Sequence, residues 1–165
     1  MKPAEIKTLY EYNYWANHKL LAAAARVPND QFIASGSFPF GGLRGTLVHI
    51  LDAEYGWGMM LQHGNFSTED LKASDFAGLP ELEKRWQSEE GLMRDYLASL
   101  GDNALDGIIR YTADSGAKRE RVLWHCLFHV VNHGTQHRSE AAAILTQLGR
   151  SPGDMDLTVF LSEPK

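Results

Sequence analysis

The chain has 165 residues, 44% of them hydrophobic and 22% charged, which is enough apolar material for one ordinary folded domain and excludes disordered and fibrous classes. Its formal net charge of -5 comes without any block of Lys and Arg, so a nucleic-acid partner is not expected; the densest basic stretch, AKRERV at 117–122, alternates with Glu and reads as a solvated turn. Cys126 is the one cysteine, which excludes an internal disulfide and fits a reducing compartment. The first residues, MKPAEIKTLYEY, lack the apolar core of an export signal, and no apolar run is long enough to span a bilayer, so a single cytoplasmic domain over 1–165 is expected.

Four helices are expected from apolar periodicity. The first runs from Pro3, suited to an opening turn, to Arg26, with Ile6, Leu9, Tyr10, Leu20, Leu21 and Ala24 on one stripe. Asn13 and Asn17 interrupt that stripe. Buried amides need partners, so the two either satisfy each other and nearby backbone or face a polar cavity. Residues 27–42, which include SGSFPFGG, are expected to form a loop. A second helix is expected from Leu43 to Gln62, with Leu47, Ile50, Leu51, Trp57 and Leu61 as its apolar face and Glu54 on that same side in need of a partner such as Arg138 or Asn13. After a polar connection at 65–78, a third helix opens at Pro80, carries Leu82, Trp86, Met93, Leu97 and Leu100, and ends before Gly101. The segment GIIRYTADSGAKRERV, with its β-branched pair and DSG turn, suggests a small hairpin or an irregular loop. The last helix starts near Val122 and stops at Gly149, with Pro152 beyond it. Four helices of this length imply an all-α bundle.

That last helix carries four of the seven histidines, His125, His129, His133 and His137, at intervals of four. At about 100° per residue, His137 lies within about 20° of the centre of the stripe Leu123, Cys126, Val130, Ala141, Ile144 and Leu148, and His133 about 60° away. His129 falls at the edge of that face and His125 on the solvent side. Two inward imidazoles one turn apart can grip one metal ion, and a third ligand must then come from another helix. His49 is the remaining histidine in mid-helix near an apolar stripe, on a face with the small residues Thr46, Ala53 and Gly56. His18 and His63 read as surface residues. The bland alternative is a set of core histidines satisfied by hydrogen bonds, but three such groups in one pocket are costly without a cation or carboxylates.

The stretches LYEYNYWANHKLL, LVHILDAEYGW and HVVNHGTQHRSEAAAILTQLG together resemble the DinB-like family, also called the DinB/YfiT-like metalloenzymes, along nearly the whole chain. The resemblance implies a four-helix bundle, a homodimer, and a divalent metal held by three histidines, which fall on His49, His133 and His137. His129 matches no family ligand, and Arg138, which follows the last ligand, is expected in a structural ion pair rather than on a substrate carboxylate. Three neutral ligands leave an open position on the ion, and imidazole alone does not choose among Zn, Ni, Fe and Co.

Family members include bacillithiol transferases and a mycothiol-dependent maleylpyruvate isomerase, so the resemblance implies a thiol-dependent S-transferase or isomerase that takes a low-molecular-weight thiol and a second small-molecule substrate. Two alternatives stand beside it: a metal-dependent hydrolase and a non-catalytic metal-binding stress protein. Against a peptidase, the ligand turn reads HGTQH, with Gly134 where HExxH enzymes carry their general-base glutamate. The mouth of such a site is expected from the loops 27–42 and 65–78, with Tyr14, Phe40 and Trp57 as aromatic residues near it.

Overall fold

Pro3 and Glu5 set the start of the first helix: proline needs no N–H partner there, and the Glu5 carboxylate accepts the Lys2 backbone N–H at 2.8 Å. In the computed structural model, which describes residues 1–101, 103–113 and 115–164, this helix, α1, runs Pro3–Ala24. A short helix α2, Asn29–Ile33, corrects the loop expected over 27–42. Five residues are too few to display a period, yet Phe32 at 1% exposure anchors them in the core. Helix α3 spans Leu43–His63 and stops at Gly64, whose φ of 78° is the left-handed conformation that glycine adopts without strain. Helix α4 covers Leu79–Ser99, and α5 covers Leu123–Gln147. Gly149 ends α5 as expected, at φ 70°, and the next N–H, that of Arg150, returns to the Leu145 carbonyl at 2.7 Å.

Among the described residues the chain is mostly helical, with one small two-stranded antiparallel sheet. Strands β1, Ile108–Thr112, and β2, Lys118–Val122, pair from Ile108 opposite Val122 to Thr112 opposite Lys118. The basic stretch at 117–122 is therefore largely a strand and not a turn; its side chains are mostly exposed, and Glu120 accepts a hydrogen bond from Arg110 across the ladder. Asp114 of the DSG turn lies outside the described residues. A sixth helix, α6, Leu157–Ser162, follows where none was expected. Phe160 holds it by packing on Tyr12 and Trp15, and Trp15 Nε1 donates to Glu163 at 3.0 Å. Among the described residues no helix is long and apolar enough to cross a membrane.

The four long helices close a ring: α3 packs against α5 and α4, and α1 against the same two. Inside it are two apolar clusters, one around Leu20, Leu47, Leu51, Leu82 and Leu145, the other around Ile6, Tyr10, Leu97, Leu105 and Val130. On three helices a polar residue falls between members of the two clusters. Asn13 and Asn17 lie between Tyr10 and Leu20 on α1, Glu54 between Leu51 and Trp57 on α3, and Arg138 between Val131 and Ala141 on α5.

Candidate metal centre

Mid-helix α3 supplies His49, and one face of α5 supplies His133 and His137, one turn apart. The structure brings these three together: their ligand atoms all lie within 4.8 Å of one another, and the Nε2 atoms of His49 and His133 are 3.1 Å apart. Two nitrogens sharing a tetrahedral ion at about 2.0–2.1 Å stand about 3.3 Å apart, so the spacing suits a shared cation.

The proton inventory agrees with that spacing. His137 Nδ1 is 2.8 Å from the Glu140 carboxylate, which can only accept, so His137 carries its proton on Nδ1 and leaves Nε2 as a bare lone pair. Burial, and after it the neighbouring His137, lower the pKa of His49, against a smaller upward pull from Glu140. Burial also lowers His133, to about 4, with His137, His49 and His129 adding to the effect. Both rings are thus neutral at physiological pH, the state a metal requires. Glu140 is a candidate site residue that the sequence did not single out; its place three residues after His137, on the same helical face, was the available signal.

Phe40 covers this group. Its ring stacks on His49 at 3.6 Å between centroids and 11° between planes, and meets His137 edge-on at 5.2 Å. Two glycines permit the close approach of its loop: a Cβ on Gly45 would lie 1.8 Å from the Phe40 carbonyl oxygen, and one on Gly42 2.0 Å from that of Ala34. Trp57 also lies near, its ring 5.5 Å from that of His129, whereas Tyr14 is buried in the core and does not border the histidines. A cavity of about 320 Å³ opens one turn along α3 from His49, lined by Ala53, Gly56 and Trp57 from α3, Phe66 and Ser67 from the 65–78 connection, and Tyr111 from β1.

The remaining histidines stay apart from the three. His129 is exposed, its ring tilted at 44° to that of His133 with 5.9 Å between centroids. His125 is exposed and packs against Trp124, and His18 and His63 are exposed. Cys126 is buried, and burial raises its thiol pKa.

Glu54 finds its partners in Asn13, Asn17 and Trp86: the two asparagine amides donate to Oε1 at 2.7 and 2.8 Å, and Trp86 Nε1 donates to Oε2 at 2.8 Å. Burial raises the Glu54 pKa, while these three donors and the nearby Arg138 charge pull it down. All three hydrogen-bond partners of the carboxylate are donors, and such donors favour its ionised form against the burial. Arg138, 2% exposed, makes no direct ion pair among the described residues; it donates to Asn13 Oδ1, Asn17 Oδ1 and Thr135 Oγ1. The structural ion pair expected for it is corrected: the two asparagines stand between its guanidinium and the Glu54 carboxylate.

Comparison with known proteins matches the DinB family model to residues 1–165. The chain belongs to the DinB family. Among curated proteins it is similar to Protein DinB of Bacillus subtilis (strain 168), 28% identical over 163 residues, an alignment that covers 94% of each chain. Within this family member, His49, His133 and His137 form a three-histidine group that could hold a metal ion.

Proposed function

We propose that this DinB-family chain is a metal-dependent enzyme whose single divalent ion is held by His49, His133 and His137, and that it uses a low-molecular-weight thiol for S-transfer to an electrophile or for isomerisation through a thiol adduct. The observation that carries the reading is the convergence of three imidazoles, one of them backed by a carboxylate. Held by these three residues, a divalent ion would supply the positive charge that favours the thiolate, the nucleophilic form of a thiol, at neutral pH.

The chain's own residues supply the rest. Glu140 orients His137, burial keeps His49 and His133 neutral, and Phe40 fixes the plane of the His49 ring. The cavity beside Ala53 and Gly56 offers space for the body of a small substrate. A general base is missing from the ligand turn, because the space at Gly134 is filled by Arg138 and Asn13, and Glu140 is engaged by His137. A thiol starts from a pKa near about 8.5, far below that of water, so it depends less than water on such a base to reach its nucleophilic form. Cys126 is buried with a raised pKa, so the thiol comes from outside the chain. The ion is one of Zn, Ni, Fe or Co.

The same reading includes a four-helix bundle made of α1, α3, α4 and α5, a single domain over the whole chain, a cytoplasmic location and a homodimer; the family resemblance supports the bundle and the dimer. Light scattering at micromolar concentration tests the dimer, and a monomer mass removes it. For the chemistry, cobalt is substituted at the site and bacillithiol, mycothiol, glutathione, cysteine and coenzyme A are added singly. A sulfur-to-cobalt charge-transfer band with one of them, lost in His137→Ala, is the expected result. No band with any thiol, together with ester hydrolysis by the protein, would transfer the case to a metal-dependent hydrolase; neither signal would leave a non-catalytic metal-binding protein.

A further inference from the structure

The turn that carries His133 and His137 is occupied on its inner side. A Cβ at Gly134 would stand 2.7 Å from Arg138 Nη1 and 2.9 Å from Asn13 Oδ1, so the Arg138 guanidinium folds back over the turn between the two histidines. Arg138 Nη1 donates to Asn13 Oδ1 at 2.5 Å and to Asn17 Oδ1 at 3.0 Å, and Nη2 donates to Thr135 Oγ1 at 2.9 Å. Each asparagine then turns its amide nitrogen to Glu54 Oε1, on α3 about a turn and a half past His49. A continuous hydrogen-bonded bridge therefore runs from one ligand-bearing helix, through α1, to the other, and Trp86 ties in α4.

Apolar packing is non-directional and tolerates small slides between helices. This bridge does not. Each asparagine points its oxygen at the cation and its nitrogen at the anion, an arrangement satisfied in one register; moving α5 by one turn, about 5.4 Å, would strand a buried guanidinium and a buried carboxylate together. Buried polar groups that add little net stability can still select one arrangement among near-equal packings.

We propose that Asn13, Asn17, Glu54 and Arg138 are positioning residues for the three-histidine group: their bridge sets where His49 stands relative to His133 and His137, and hence the metal affinity and coordination geometry. The inference rests on the metal site proposed above.

The test compares cobalt affinity, the cobalt visible spectrum and thermal midpoint in three variants of the full chain. Arg138→Lys keeps the charge but replaces the fork that spans two amides by a point donor. Glu54→Gln with Arg138→Gln removes both charges and leaves polar partners for the asparagines. Leu82→Ala, fully buried on α4 in the apolar cluster that includes Trp86, is a control that loses stability while keeping every hydrogen-bonding group of the bridge. Expected are cobalt dissociation constants raised about 10- to 100-fold and altered ligand-field bands in both bridge variants, with the wild-type affinity and spectrum kept in Leu82→Ala. Should one bridge variant fail to fold, the other carries the measurement. Wild-type affinity and spectrum in a folded bridge variant, or a loss of affinity in Leu82→Ala that follows its loss of stability, would overturn the proposal. Cobalt binding untouched by His49→Ala would overturn the metal site itself, and the bridge proposal with it.

Discussion

Replacing Gly134 by alanine should destabilise the protein even though it improves the local helix. The exchange gains about 0.8–1.0 kcal/mol of intrinsic propensity in a helix interior. Against that, the new Cβ would stand 2.7 Å from Arg138 Nη1 and 2.9 Å from Asn13 Oδ1. A guanidinium at the end of a free side chain would step aside at little cost. Here the group is 2% exposed and donates to three acceptors, so a displacement of a few tenths of an ångström strains bonds to a buried charge. Overpacking costs about 1–3 kcal/mol, and one broken bond to a charged group about 1.5–3 kcal/mol. The net is a loss of about 1.5–5 kcal/mol, or a fall of about 3–20 °C in thermal midpoint for a chain of this size. Gly91→Ala is the matched control: Gly91 sits within α4, is exposed, and a Cβ there would meet nothing within 4 Å. It should gain about 0.5–1 kcal/mol. Urea and thermal denaturation of the two variants read the difference directly. If Gly134→Ala raised the midpoint as Gly91→Ala does, the crowding of the ligand turn by Arg138 would be refuted.

Elemental analysis should find one divalent ion per chain, lost in His49→Ala, His133→Ala and His137→Ala and retained in His125→Ala and His129→Ala; removing Glu140 should weaken metal binding about 10- to 100-fold without abolishing it. The pH dependence of binding should be shallow. A free imidazole of pKa about 6.5 would cost roughly thirtyfold in affinity at pH 5, whereas His133, lowered to about 4, contributes almost nothing there, so the slope of log Kd against pH between 5 and 6.5 should fall well short of three. In the metal-free protein the sign of the linkage follows from the same shift: between about pH 6.5 and 4 the unfolded chain binds the proton that folded His133 refuses, so stability falls as pH drops through that window, and a melting series showing a rise would contradict it. Cys126, 3% exposed with a raised pKa, should resist iodoacetamide in the native protein at pH 7 and react on unfolding; rapid native labelling would place the thiol at the surface.

The long helices were legible because their burial is periodic. The stripes through Leu47, Ile50 and Leu51 and through Leu82, Trp86, Met93 and Leu97 are buried as their spacing implied, and Gly149 marked the end of α5. The facing of the histidine ladder followed from the same arithmetic: His125 and His129 lie exposed while His137 is buried. The short helices α2 and α6 were not legible, because five or six residues held by one aromatic anchor, Phe32 or Phe160, carry no period. The hairpin of β1 and β2 was legible as one of two alternatives, and the strand at Lys118–Val122 could not decide between them, because charged side chains on both faces hide the alternation and the partner strand supplies the order.

The sequence by itself determined which faces of α3 and α5 turn inward and therefore which histidines can meet, since that depends only on residue spacing along a helix. It also showed that Glu54, Asn13 and Asn17 stand on apolar faces and must find partners. Only the tertiary structure decided who those partners are, that Glu140 turns to His137, and that Phe40 lies flat on His49. The reason is physical: helical spacing fixes the direction in which a side chain leaves its own helix, whereas a hydrogen bond or ring contact between helices depends on their axial register and on loop closure. Those are set by the packing of all four long helices together.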